Sequence, residues 1–214
     1  LPVVSPVEMT SKLSERNALW AARRGLYTTV AGNRPTGTNA LLEDVVVPVD
    51  VLGATCRDLT ALFDAHGYQD SVIFGHAKDG NIHFMLNEQF RDAKQLVRYR
   101  DFTEEMVQLI LDADGSLKAE HGTGRIMAPF VRRQFGDELF EVMREIKRLI
   151  DPKGFLNPGV VLAEEDTDYA TDLKVAETVE EEVDRCVECG YCEPVCPSKD
   201  LTLTPRQRIV LRRE

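Results

Sequence analysis

The stretch from Ser71 to Leu86 constrains the fold more than any other. Two short apolar runs, Ser71–His76 and Asn81–Leu86, are separated by Ala77-Lys78-Asp79-Gly80, four residues of turn chemistry. Such a pattern predicts a β-hairpin. A four-residue turn puts His76 opposite Asn81 and Phe74 opposite His83. Side chains alternate faces along a strand, so His76, Asn81 and His83 share one face. Ile82, Phe84 and Leu86 share the other and are candidate core. His76 and His83 become diagonal neighbours, about 7–8 Å apart at the backbone. Two imidazoles can converge on one cation from that distance. The alternative is a pair of strand histidines satisfied by local hydrogen bonds. Asp79 either orients a ligand or caps the turn.

The rest of the chain supplies helices around this hairpin. Residues 8–24 read as a helix and Leu42–Val49, β-branched and stopped near Pro48, as a strand. Leu52–His66 has apolar residues at helical spacing (Leu52, Cys56, Leu59, Phe63) and Gly67 as a stop. Further helices are predicted over Arg91–Asp112, Ile126–Phe135 and Asp137–Ile150, with Leu117–Glu120 as a short strand leading into Glu120-His121-Gly122-Thr123-Gly124. Two helices and a few strands followed by more helices predict an α+β fold with an antiparallel sheet, not a doubly wound parallel one. Glu120 can add a carboxylate to the two imidazoles. Two histidines and a carboxylate with open positions suit Zn²⁺ or a similar divalent ion, leaving His121 free as a base. His66 reads as an exposed helix-terminal cation and Cys56 as an ordinary buried thiol.

Composition excludes several classes. The 214 residues carry 36 acidic against 26 basic side chains, a net charge of −10, which is the wrong sign for a phosphate backbone, so nucleic acid is not an expected partner. No apolar run reaches about 18 residues, so no membrane span is expected. Residues 163–184 are rich in acids and poor in large apolar groups, which predicts a solvated linker with at most a short helix. The chain opens on Leu1 rather than Met, and Arg206–Glu214 looks like a helix still running at the end. The expectation is an internal fragment of a longer polypeptide.

Four of the five cysteines form Cys186-x2-Cys189-x2-Cys192-x3-Cys196-Pro197. This is the spacing of bacterial ferredoxin [4Fe–4S] ligation. A tight cluster rather than scattered pairs suits a reducing compartment, hence a cytoplasmic protein with room for peripheral attachment at the inner face of a membrane. Zinc is the rival ligand, but its tetrahedral sites usually take two separated Cys pairs, or Cys with His, and neither is present near the run. In two-cluster ferredoxins the fourth Cys serves the other cluster, so a lone run predicts poor cluster retention.

Three stretches together resemble the C-terminal domain of FAD-linked oxidases, the family of D-lactate dehydrogenases, glycolate oxidase flavin subunits and D-2-hydroxyglutarate dehydrogenases. They are Gly75-His76-Ala77-Lys78-Asp79-Gly80-Asn81-Ile82-His83, Ala119-Glu120-His121-Gly122-Thr123-Gly124-Arg125 and Asp151-Pro152-Lys153-Gly154-Phe155-Leu156-Asn157-Pro158-Gly159. The trailing cysteine run resembles members fused to a ferredoxin-type domain. The resemblance implies residues 1–162 as the substrate and metal domain, 163–184 as the linker and 185–214 as a small, helical, partial iron–sulfur domain. It implies His76, His83 and Glu120 as ligands of a divalent metal (Zn or Mn), His121 as the catalytic base, Arg23 as the substrate-carboxylate cation, and Asn81, Gly122 and Asn157 near the flavin. It implies Cys186, Cys189, Cys192 and Cys196 as cluster ligands. FAD would be held mostly by an N-terminal domain that this sequence lacks. The implied activity is oxidation of a D-2-hydroxy acid to the 2-oxo acid, with electrons leaving through the cluster to a quinone or redox protein. The alternative is a non-catalytic iron–sulfur electron-transfer or docking module.

Overall fold

The computed structural model describes residues 9–163, 168–175 and 177–214. They form two compact units, one of residues up to Thr36 together with Thr178–Glu214, the other Gly37–Glu177. Among the described residues no helix is long and apolar enough to cross a membrane.

The second unit is built on a three-stranded antiparallel sheet in the order β1-β3-β2, with β1 at Asn39–Val46, β2 at Val72–His76 and β3 at Asn81–Glu88. The hairpin register is the one the spacing predicts: His76 pairs with Asn81 and Phe74 with His83. Gly80 closes the turn at φ 69°, and a Cβ there would lie 1.9 Å from the Val47 carbonyl oxygen, so no side chain fits. β1 ends two residues short of Pro48 because the Val47 N–H turns to the Gly80 carbonyl at 3.0 Å.

Ile82, Phe84 and Leu86 point into the core, where α2 (Leu52–Ala65) and α3 (Ala93–Asp112) cover the sheet. Phe63 stacks on Phe102 at 5.7 Å between ring centres and tilts against Phe84 at 5.7 Å. Ring contacts of this kind are worth about 0.5–1.5 kcal/mol each beyond the area they bury. Asp92 caps α3 by accepting the Gln95 N–H at 2.9 Å, so the helix starts two residues later than the apolar pattern suggests. His66 is no exposed cation: its side chain is only 13% exposed, pairs with Glu105 at 3.2 Å and sits edge-on to Phe102. Cys56 is half-buried against the same core, and burial pushes its thiol up.

Leu117–Glu120 is not a strand. One bridge joins Ser116 to Val46 on the free edge of β1, and the segment then leaves strand geometry. A short 3₁₀ turn at Ala128–Phe130 precedes α4 (Val131–Ile150), which breaks at Gly136 (φ 79°, ψ 167°), close to the boundary between the two predicted helices. Leu139, Val142, Ile146, Leu149 and Ile150 on α4 stay exposed. The predicted solvated linker is anchored in part. Tyr169 and Ala170 are buried, with Tyr169 against Phe130 at 5.4 Å, while residues 164–167 and 176 lie outside the described residues.

The first unit contains α1 (Leu13–Gly32), a four-residue α5 (Glu181–Asp184), the cysteine run and α6 (Pro205–Arg213). Residue 8, at the start of the predicted first helix, lies outside the described residues, and the helix extends eight residues beyond the predicted end. Arg34, just past α1, donates to the carbonyls of Asp184 (2.9 Å) and Cys186 (3.2 Å). α6 begins with a capping box between Thr204 and Gln207, preceding Pro205 in the first turn.

Asp151 closes α4. Its carboxylate accepts from Lys147 Nζ at 2.7 Å and from the N–H groups of Leu156 (2.8 Å) and Phe155 (3.0 Å). The Lys147 ammonium first, then the Leu156 N–H, hold this carboxyl down at about 2, against about 3.9 in an unfolded chain. A depressed folded value contributes stability above the unfolded value and loses it as pH falls. Asp151 is therefore expected to contribute fully above about pH 4 and to lose its contribution toward pH 2. In Asp151→Asn, acid unfolding followed by circular dichroism is expected to lose that part of its pH dependence.

Candidate metal and catalytic site

The site lies on the β3 face opposite the aromatic core. Strand alternation puts Asp44 of β1 directly across from His83 of β3, and residues paired this way share a face. Asp44 has no exposed surface and His83 is 3% exposed. A lone buried carboxylate would cost several kcal/mol. Asp44 is not alone. Its Oδ2 accepts the backbone N–H groups of Ala119 (3.0 Å), Glu120 (2.7 Å) and His121 (2.9 Å), and its Oδ1 accepts Asn81 Nδ2 at 2.8 Å. Burial works to raise this carboxyl, but the four N–H donors outweigh it and hold it below the usual range. These bonds replace the strand ladder that Leu117–Glu120 would otherwise need, and they aim Glu120 and His121 at the hairpin.

Three imidazoles then surround one oxygen. Glu120 Oε1 is 3.0 Å from His83 Nε2, 3.2 Å from His76 Nε2 and 3.8 Å from His121 Nε2. The His83 ring stacks on His121 at 4.9 Å with an 11° tilt, and meets His76 edge-on at 5.3 Å. One ligand atom from each of Asp44, His83, Glu120 and His121 lies within 4.8 Å of the others, a spacing that can enclose a metal ion. Burial, above all, lowers the His83 pKa, with the Asp44 carboxylate working against it. The ring is therefore neutral near pH 7, the form a metal ligand needs. Its Nδ1 lies 3.4 Å from Asp44 Oδ1, without an aligned hydrogen bond. With its proton on Nε2 the ring donates to Glu120; with its proton on Nδ1 it offers the Nε2 lone pair to a cation there. Imidazole nitrogens and a carboxylate oxygen at this spacing are ligands that divalent cations accept. The donor set thus fits a divalent cation.

Structure and sequence meet unevenly here. The structure brings His76, His83, Glu120 and His121 together. Sequence reasoning missed Asp44, although two adjacent acids inside an apolar β-branched run (Leu41-Leu42-Glu43-Asp44-Val45-Val46) were a signal, since a buried charge needs a partner. Asn81 is 6% exposed and its Nδ2 is committed to Asp44, while its Oδ1 has no partner. Gly122 is exposed in the left-handed region (φ 74°) with open space beside it. Lys78 is exposed on the hairpin turn. Asn157, also left-handed (φ 44°), lines a cavity of about 720 Å³ with Arg132, Arg144, Lys147 and Arg148. Arg23 is on α1, half-buried, in the first unit.

The four clustered cysteines are free thiols, Cys186 and Cys196 half-buried and Cys189 and Cys192 exposed. Left-handed Glu188 (φ 56°) and Gly190 (φ 80°) turn the chain between them. Sulfur meets donors at both ends of the run: the Glu188 N–H lies 3.4 Å from Cys186 Sγ and Arg208 Nη2 lies 3.2 Å from Cys196 Sγ. Four unpaired thiols on a turning backbone, with N–H donors beside them, are a donor set that suits iron and sulfide.

Residues 2–161 match the family described as FAD linked oxidases, C-terminal domain, and the chain belongs to that family. It is 29% identical over 160 residues to the glycolate oxidase subunit GlcD of Bacillus subtilis, covering 74% of this chain and 33% of that protein. It is 31% identical over 147 residues to a probable mitochondrial D-lactate dehydrogenase of Danio rerio, covering 69% and 29%. To the D-2-hydroxyglutarate dehydrogenase of Escherichia coli it is 29% identical over 196 residues, covering 80% and 19%. The chain thus spans between a fifth and a third of the length of these relatives.

Asp44→Asn removes the charge that four N–H groups face and turns an amide N–H toward them. Urea unfolding is expected to show a loss of about 2–4 kcal/mol. Hydrogen exchange is expected to show lost protection at the Ala119, Glu120 and His121 amides. An unchanged midpoint with unchanged exchange would contradict this account.

Proposed function

We propose that the chain is the substrate-side part of a flavin-dependent dehydrogenase that oxidises a D-2-hydroxy acid, of the D-lactate or D-2-hydroxyglutarate type, to the 2-oxo acid. The observation that carries this reading is the convergence of three imidazole nitrogens on Glu120 Oε1. His76, His83 and Glu120 would hold a divalent cation, Zn²⁺ or Mn²⁺, whose Lewis acidity lowers the pKa of a bound substrate hydroxyl.

His121 stands beside that set with its side chain 40% exposed, open to a substrate. Its Nε2 takes the hydroxyl proton as the α-hydrogen leaves with its electron pair. The stacked His83 and the backbone bond to Asp44 fix where His121 sits. FAD would be held mainly by a flavin-binding domain N-terminal to this one and would supply the two-electron acceptor; Gly122 and Asn157 are the residues that would face it, with the buried Asn81 behind Asp44. The exposed apolar face of α4 gives that domain a surface to dock on. Arg23 is proposed to meet the substrate carboxylate.

Cys186, Cys189, Cys192 and Cys196 would hold a [4Fe–4S] cluster that offers electrons a one-at-a-time exit to a quinone or redox protein. Glycolate oxidase and D-lactate dehydrogenase names among the relatives support the hydroxy-acid class.

His83→Ala is expected to abolish binding of Zn²⁺ and Mn²⁺, measured by elemental analysis after dialysis. In the full-length polypeptide, His121→Ala is expected to lower turnover of D-2-hydroxy acids by at least two orders of magnitude while the metal stays bound. Wild-type turnover in that variant would remove His121 from its role. Iron and sulfide assays on the anaerobically purified 214-residue chain are expected to find well under one cluster per chain; full occupancy would show that this run needs no second one.

A further inference from the structure

The segment carrying Glu120 and His121 runs along the free edge of β1 and is gripped from both faces of the sheet. On the site face Asp44 takes three of its N–H groups. On the core face the neighbouring residue, Glu43, lies across from Phe84 and meets Lys118 Nζ at 2.5 Å. Glu43 is 3% exposed and Lys118 13%. The pair is poorly supplied with other partners: Glu43 Oε1 is buried with no hydrogen bond. A half-satisfied buried ion pair is a weak source of stability, and apolar residues of similar volume often do as well or better. The best-attested use of such a pair is to fix register.

Register matters here. Leu117 is buried in the core, Lys118 reaches Glu43, and Glu120, two residues on, must meet His76 and His83. A slip by one residue would exchange Leu117 and Lys118 and carry Glu120 away from both imidazoles. The Asp44 carboxylate accepts whichever N–H groups face it and so cannot by itself choose the register. A side-chain contact unique to residue 118 can. We propose that Glu43 and Lys118 are positioning residues, an ion pair that sets the register of the 117–121 segment and thereby delivers Glu120 to the two histidines. The metal-binding consequence rests on the function proposed above; the register itself does not.

The test is the double variant Glu43→Met/Lys118→Met in the 214-residue chain, beside wild type. Its melting temperature is expected to stay within a few degrees of wild type. Its affinity for Zn²⁺ and Mn²⁺ is expected to fall at least tenfold, the scale seen when groups that orient metal ligands are removed. The Ala119, Glu120 and His121 amides are expected to exchange faster. Wild-type affinity and wild-type exchange in a folded double variant would overturn the proposal, because a pair that only fills space is replaced without loss. If the double variant does not fold, Lys118→Gln is read the same way: lost affinity and lost protection support the role, wild-type values overturn it. If the wild-type chain binds neither metal, the metal reading of the site fails. Amide exchange, which needs no metal, still decides the role of the pair.

Discussion

Asp44 has no contact with solvent, yet its carboxylate is charged near neutral pH, and the arrangement of the site follows from how that charge is satisfied. Four N–H groups turn toward it, three from consecutive residues of one loop and one from the strand beside it. A buried anion of this kind organises by compulsion. Any loop conformation that withdraws those donors leaves an uncompensated charge, at a cost of about 3–5 kcal/mol. The loop bearing Glu120 and His121 is exposed and rich in glycine, so its own local sequence favours no one conformation.

The same carboxylate acts on the facing strand. Its Oδ1 lies 3.4 Å from His83 Nδ1, so the charge that holds the loop also flanks the histidine ring. One buried group thereby holds the loop that carries the glutamate and stands against the histidine on the facing strand. The neighbouring Glu43 extends this to the opposite face. Adjacent residues on a strand point to opposite sides, so two acids in sequence can hold one passing segment from above and below.

The hairpin was legible because strand periodicity and a four-residue turn leave a single register that buries Ile82, Phe84 and Leu86, and that register fixes where His76 and His83 stand. The break at Gly136 falls between the helices predicted over Ile126–Phe135 and Asp137–Ile150, where glycine takes a positive φ without strain. What could not be read is whatever depends on a side chain replacing a backbone partner. Leu117–Glu120 has strand-like alternation, and only the reach of Asp44, 75 residues earlier, turns it into a loop. His66 sits at a helix end as expected, but Glu105 and Phe102 from α3 enclose it. Tyr169 lies in a stretch whose acidic composition points to solvent, and one aromatic ring against Phe130 anchors it. In each case the missing information was long-range contact with side chains far away in the sequence.

The two units of the chain solve the placement of reactive groups differently. In the second unit the reactive side chains are held by buried charge, where low dielectric makes each bond strong and each vacancy costly. In the first unit the cysteine run is held mainly by arginines: Arg34 and Arg213 donate to backbone carbonyls around Cys186, Arg206 to the Glu188 carbonyl and the Glu193 carboxylate, and Arg208 to Cys196 Sγ and Ser198 Oγ. Arg206 and Arg208 are exposed, where an ion pair contributes at most about 1 kcal/mol and is screened by salt. Arginine suits such a place because its planar fork can meet two acceptors at once with one rigid group. A run of four thiols on a glycine-turned backbone has little apolar surface to bury, so its shape must come from many weak directional bonds. The histidine site, sunk beside a sheet, takes its shape from one strong one.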